Sequence, residues 1–156
     1  MKKLLLIRHA QAGPHSQNDF DRPLTNHGVN QANKVAIKLQ RLKLIPGYLL
    51  SSPAKRTHAT TDIISKILTI TNNAFDDRIY DASTQTLIKV INQIDNEYNF
   101  VALVGHNPGV SQLIFELTGD YRDMPTAAAV LISFETDDWQ LIHSNTGTVS
   151  QYIMPD

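Results

Sequence analysis

Three short stretches of the chain set arginine and histidine at the ends of apolar runs: Ile7-Arg8-His9-Ala10, Ser51-Ser52-Pro53-Ala54-Lys55-Arg56-Thr57 and Val104-Gly105-His106-Asn107-Pro108-Gly109. Two of them carry a capping-type residue followed by proline, Ser52-Pro53 and Asn107-Pro108. That pattern predicts a helix start with free backbone N–H groups, and helix starts favour anions. Arg56 falls in the first turn of one such helix. Two arginines, two histidines and two helix starts on one crevice would make a phosphate pocket. A histidine attacks phosphorus only through a nitrogen that carries no proton, so its other nitrogen must donate to a fixed acceptor such as a backbone carbonyl. The transition state spreads negative charge over equatorial oxygens, so catalysis there is mostly positioning and electrostatics. A guanidinium about 4 Å from such a charge contributes on the order of 4 kcal/mol at an effective dielectric near 20, before desolvation. Its fork binds two phosphate oxygens at once.

The elements that must hold these residues follow from the hydrophobic pattern. Lys3–Ile7 and Phe100–Gly105 are continuously apolar, which predicts strands buried on both faces. Gly47–Ser51 is a further short strand. Helical spacing runs from Asn26 to about Lys43, with Val29, Ala32, Ala36 and Leu39 as its stripe and Thr25 or Asn26 as cap. Pro53–Leu68, Thr84–Ile94 (stripe Leu87, Val90, Ile91, Ile94) and Pro108–Thr118 are predicted as helices. His15–Pro23 reads as a loop, Phe75–Tyr80 as extended, and Ala128–Phe134 with Trp139–Ser144 as a final hairpin. Strands alternating with helices predict a single α/β domain over residues 1–156, three-layered (α/β/α) with a mostly parallel central sheet. Open sheets of this kind bind ligands outside the carboxyl ends of their strands, where all three stretches fall.

"LLLIRHAQA", "SSPAKRTHAT" and "LVGHNPG" resemble the three signatures of the histidine phosphatase superfamily, in order and near the expected spacing. The chain is most similar to the short SixA-type branch, the protein phosphohistidine phosphatases; "DFDRPLTNHG" (Asp19–Gly28) and "MPTAAA" (Met124–Ala129) share that likeness. The resemblance implies a phosphoglycerate mutase-like fold. By matched position it implies His9 as the nucleophile that becomes phosphorylated, Arg8 and Arg56 as the phosphoryl clamp, and His106 as the second histidine of the pocket. Larger members use a carboxylate as general acid; here Asp81 and Asp21 are candidates by position only. A phosphohistidine substrate, with an imidazole nitrogen to expel, needs that acid less than a phosphoester does. The superfamily often has glycine where Ala10 stands.

The resemblance thus implies a metal-independent phosphatase working through phospho-His9 in signal transduction. Its substrate would be a phosphorylated protein, a histidine-phosphotransfer domain or a phosphocarrier. A phosphatase for small phosphomonoesters and a non-catalytic phospho-ligand binding module are the alternatives. Asn107 reads as a helix cap first and a phosphate ligand second. Arg22 and Asp81 are candidates for the substrate rim, with Asp19, Asp21 and Arg22 otherwise a solvated loop ion pair. His15, His27, His58 and His143 read as surface residues, His58 bordering the site at most.

Composition excludes other classes. Net charge is −1, so no global basic field draws nucleic acid or an anionic membrane. Cysteine is absent, which removes disulfides, thiolate metal sites and a cysteine nucleophile. No H-E-x-x-H or compact His/carboxylate spacing suggests zinc, so no metal or cofactor is expected. Ser111 lacks the G-x-S-x-G elbow of serine hydrolases, and Gly105–Gly109 fits neither a Walker loop nor a dinucleotide fingerprint. Met1-Lys2-Lys3 before Leu4–Ile7 suggests an export signal, yet the apolar run is shorter than the roughly 7–15 residues such a signal needs. A cytoplasmic protein is therefore expected.

Overall fold

The apolar run near the start is covered from both sides. In the computed structural model, which describes residues 1–14 and 18–156, it forms strand β1 (Lys2–Arg8) at the heart of a six-stranded sheet. Leu4 and Leu6 pack into one hydrophobic cluster and Leu5 and Ile7 into another, all fully buried. Burial of each such side chain stabilises the fold by about 2 kcal/mol, which explains why the run does not alternate with polar residues.

The remaining elements are α1 (Asn26–Arg41), β2 (Tyr48–Ser51), α2 (Lys55–Leu68), β3 (Asn73–Phe75), α3 (Thr84–Asn92), β4 (Phe100–Gly105), α4 (Gly109–Thr118), β5 (Ala129–Phe134) and β6 (Gly147–Ile153). The strand order is β3-β2-β4-β1-β5-β6. The first four strands run parallel, while β5 and β6 are antiparallel additions at one side. Ala32, Val35, Ala36 and Leu39 of α1 join Ile64 and Leu68 of α2 on one sheet face. Leu87, Val90 and Ile91 of α3 join Val110, Leu113 and Ile114 of α4 on the other. The three-layer α/β/α architecture expected from the sequence is the observed one. No helix among the described residues is long and apolar enough to cross a membrane.

Register brings the chemical stretches together. Arg8 pairs with Gly105 across β1 and β4, and Ser51 pairs with Val104 across β2 and β4. The chain segments that follow these three strands therefore leave the same edge side by side.

Several expectations need correction. Trp139–Ser144 is not a strand. Trp139–Leu141 makes one 3-10 turn capped by Asp138, with Trp139 fully buried and its indole donating to Tyr98 O. The strand paired with β5 is Gly147–Ile153, where one residue of seven is buried, so it carries little hydrophobic signal. Phe75–Tyr80 is extended only at its start and then turns at Asp77–Ile79. Val29 faces solvent, and Gly28 takes its place in the buried stripe of α1. Helix α2 begins at Lys55 rather than Pro53, and α4 at Gly109 rather than Pro108. Within the predicted loop, Asp19–Asp21 forms a 3-10 turn. His15 lies outside the described residues.

Candidate active site

His9 sits just past the end of β1, 8% exposed. Its Nδ1 lies 2.7 Å from Ala10 O. A carbonyl only accepts, so Nδ1 carries the ring proton and Nε2 keeps a free lone pair. The backbone around it is fixed: His9 N donates to Gly105 O, Ala127 N donates to His9 O, and Ala10 N donates to Thr60 Oγ1 at 3.0 Å. Burial, reinforced by the charges of Arg56, Arg8 and Arg22 and opposed by the Ala10 bond, lowers the His9 pKa to about 4. The ring is neutral at physiological pH.

His106 follows β4, with its ring centroid 5.3 Å from that of His9. Its Nε2 lies 2.8 Å from Ser52 Oγ, which also accepts from Ala54 N. With the serine hydrogen turned to Nε2, the ring's own proton sits on Nδ1, which is buried and without a partner. Burial first, then the nearby Arg56, lowers this pKa to about 3.

The arginines reach the same place from different elements. Arg8 donates from one terminal nitrogen to Met124 O at 2.9 Å, and Arg56, only 5% exposed, sits in the first turn of α2. Both terminal nitrogens of Arg56 are held by Asp19, one on its carbonyl at 2.6 Å and one on Oδ2 at 2.9 Å. The Nε of each arginine is buried and unpaired. Among the described residues, four buried side-chain polar atoms lack a partner, and three of them belong to Arg8, Arg56 and His106. Buried N–H groups are normally satisfied. Three unpaired buried donors on residues that line one cavity with His9 fit an anion with several oxygens.

These groups line a cavity of about 460 Å³ together with Asp19, Arg22, Tyr80, Asp81 and Asn107. Asp19 organises its rim: its carboxylate also receives Arg22 at 3.0 Å and the Tyr80 hydroxyl at 2.7 Å. The Tyr80 hydroxyl foremost, then the two guanidinium groups, hold the Asp19 carboxyl well below the usual carboxylate range. Arg22 is further anchored by Nε on Gly13 O. Asp81 lines the cavity from a left-handed turn (φ 49°) and has no side-chain hydrogen bond or ion pair among the described residues. Asp21 does not line it.

The model of the histidine phosphatase superfamily (branch 1) matches residues 4–85. The chain belongs to the histidine phosphatase superfamily. Phosphatase activity is what that membership supports. An uncharacterised chloroplastic protein of Arabidopsis thaliana is 28% identical over 151 residues, covering 89% of this chain and 69% of the relative. The mitochondrial serine/threonine-protein phosphatase PGAM5 of Xenopus tropicalis is 37% identical over 67 residues, 43% of this chain and 24% of that protein. The structure of the protein histidine phosphatase SixA complexed with tungstate superposes with a TM-score of 0.86 over 98% of this chain and 97% of that one. At 22% identity the likeness to SixA is one of fold.

Within this histidine phosphatase, Arg8, His9, Arg56 and His106 converge as the sequence suggested, and Arg22 and Asp81 reach the same cavity. Asn107 touches the cavity, but its amide is committed to the scaffold. Oδ1 accepts from Ser111 N and Oγ, and Nδ2 donates to Asp123 Oδ1 and Met124 O. It is a cap and a loop tie, with no donor left for phosphate. His58 is on the surface, paired with Asp62 and stacked on Phe75; His27 and His143 are exposed. Among the described residues no group of three or more metal-binding side chains is assembled. Sequence reasoning missed the links of Asp19 to Arg56 and Tyr80, and the hydroxyls of Ser52 and Thr60. Ser52 read as a cap; Thr60 stands four residues after Arg56, and nothing in one dimension ties it to Ala10.

Proposed function

We propose that this chain is a phosphatase that works through a phosphohistidine intermediate on His9 and acts on phosphohistidine carried by a protein. The observation that carries the reading is the free lone pair of His9 Nε2 beside the unpaired N–H groups of Arg8, Arg56 and His106. Nε2 attacks phosphorus, a new N–P bond forms, and the bond to the substrate's imidazole nitrogen breaks with its electron pair staying on that nitrogen, so the ring leaves as neutral imidazole with its proton on the other nitrogen. The three donors bind the equatorial oxygens, where charge grows most. Water then breaks the bond between His9 and phosphorus, releasing inorganic phosphate and restoring the free ring. Asp19 holds Arg56 by its far end, which leaves Nε and the remaining N–H bonds for the phosphoryl group. The fold shared with the protein histidine phosphatase SixA supports the substrate class.

One observation favours a second reading. Asp81 lines the cavity, where a carboxyl could protonate the oxygen of a phosphoester. Small phosphomonoesters are therefore the competing substrates. His9→Ala is expected to abolish turnover and the acid-labile 32P label on the protein; unchanged hydrolysis would refute the mechanism, and an absence of turnover in wild type as well would leave a binding module. A phosphorylated histidine-phosphotransfer domain or phosphocarrier is expected to be dephosphorylated far faster than sugar phosphates. The opposite ranking would favour the ester reading.

A further inference from the structure

The phosphate cavity is walled by charged and polar groups, so the body of any substrate must lie outside it. One neighbouring surface is of different character. A groove of about 410 Å³ runs along the start of α2, between Phe20 on one side and Pro53, His58 and Ala59 on the other, with Asp21, Lys55 and Asp62 also lining it. It shares no lining residue with the cavity but adjoins it through neighbours in sequence. Phe20 follows Asp19, which holds Arg56; Pro53 follows Ser52, which contacts His106; Lys55 precedes Arg56. The Phe20 ring also meets Tyr80 edge-on at 5.2 Å, and Tyr80 lines the cavity. The opposite wall is stiffened by His58, stacked flat on Phe75 at 4.3 Å and bonded to Asp62.

We infer that this groove receives an apolar side chain flanking the phosphorylated histidine of a polypeptide substrate, and so sets specificity for proteins over small phosphates. The inference rests on the phosphohistidine reading above. Adjacency to the cavity argues for that occupant: Phe20 meets Tyr80 at the cavity wall and Lys55 stands next to Arg56, which sets the groove beside the phosphoryl site. Apolar walls match an apolar side chain, and the rim, where Asp21 and Asp62 outnumber Lys55, disfavours a second anion. A free phosphomonoester or phosphoramidate is too small to reach the groove while bound in the cavity.

The test uses phosphoramidate and two phosphohistidine peptides, one with leucine and one with serine flanking the modified residue. The wild-type protein is expected to prefer the leucine peptide. Ala59→Gln, which fills the groove, is expected to raise KM for that peptide about tenfold and erase the preference, while phosphoramidate turnover stays within about twofold. His58→Ala, which removes one wall, should act in the same direction and guards against a folding defect in the first variant. Equal losses on peptide and phosphoramidate, or an unchanged preference, would overturn the groove while leaving the phosphohistidine reading intact. A wild-type protein that hydrolyses only small phosphoesters would overturn both.

Discussion

At the scale of single residues, the site depends on two imidazoles kept neutral among cations. His9 and His106 titrate near 4 and 3 because their burial penalises the charged ring and because Arg56 and Arg8 stand close by. In the proposed mechanism, a neutral His9 with its proton on Nδ1 keeps Nε2 free to attack across the physiological pH range, with no activating base required. Titration of the ring resonances by NMR is expected to place the His9 midpoint near pH 4; a midpoint near 6.5 would show that the ring is solvated and that the arrangement is wrong. The same shifts act on stability. Between about pH 6.5 and the folded-state values, the unfolded chain binds more protons than the folded one. Stability therefore rises with pH through that window and is flat above it as far as these rings are concerned. Each ring contributes up to roughly 3 kcal/mol of loss on acidification, so denaturant midpoints should fall steadily from pH 6.5 to 4. Asp19 acts in the same direction, since its lowered pKa also makes acid destabilising.

At the scale of elements, the site is only as well placed as the joints between strands and helices. The tightest joint is where α1 passes the segment after His9. A Cβ on Gly28 would lie 2.1 Å from Gln11 O and 3.0 Å from Gln11 N, and both are backbone atoms. Gln11 O already accepts from Thr25 N, and Thr25 caps α1 through Gly28 N, so neither side can retreat. Gly28→Ala is expected to cost about 3 kcal/mol in urea unfolding and to lower turnover by displacing Ala10, whose carbonyl sets the His9 tautomer; a change below about 0.5 kcal/mol would show that the joint is loose. The resemblance placed Gly28 within a matching segment, but only the three-dimensional contact says why glycine stands there. The same distinction runs through the fold. β1 and β4 were legible because they are apolar on both faces and need no partner to announce themselves. β6 was not, because an edge strand with one wet face has almost no hydrophobic pattern. Trp139–Ser144 was expected as the strand in its stead, whereas Trp139 is buried by one turn that sets it beside Lys2, with the ammonium 5.6 Å from the ring centroid.

At the scale of the whole molecule, the cavity is a meeting point of chain segments far apart in sequence, from Arg8 through Asp19, Arg56 and Tyr80 to His106. The three signature stretches were legible because each carries its own residue types. The Asp19 hub was not, because its partners come from α2 and from the turn before Asp81, and no local pattern encodes such contacts. One consequence is thermodynamic. An oxyanion that satisfies the orphaned donors of Arg8, Arg56 and His106 ties β1, α2 and β4 together only in the folded state, so it must stabilise the fold by mass action. Orthovanadate at about a hundred times its dissociation constant should add about 2.7 kcal/mol, or roughly 5–10 °C in Tm for a chain of this size. Arg56→Ala removes a donor that is 95% hidden from water in the free protein, and should abolish most of that shift while phosphate-free stability changes separately. An equal vanadate shift in wild type and Arg56→Ala would mean that the anion binds elsewhere, and the convergence of the three strand ends would then have no part in oxyanion binding.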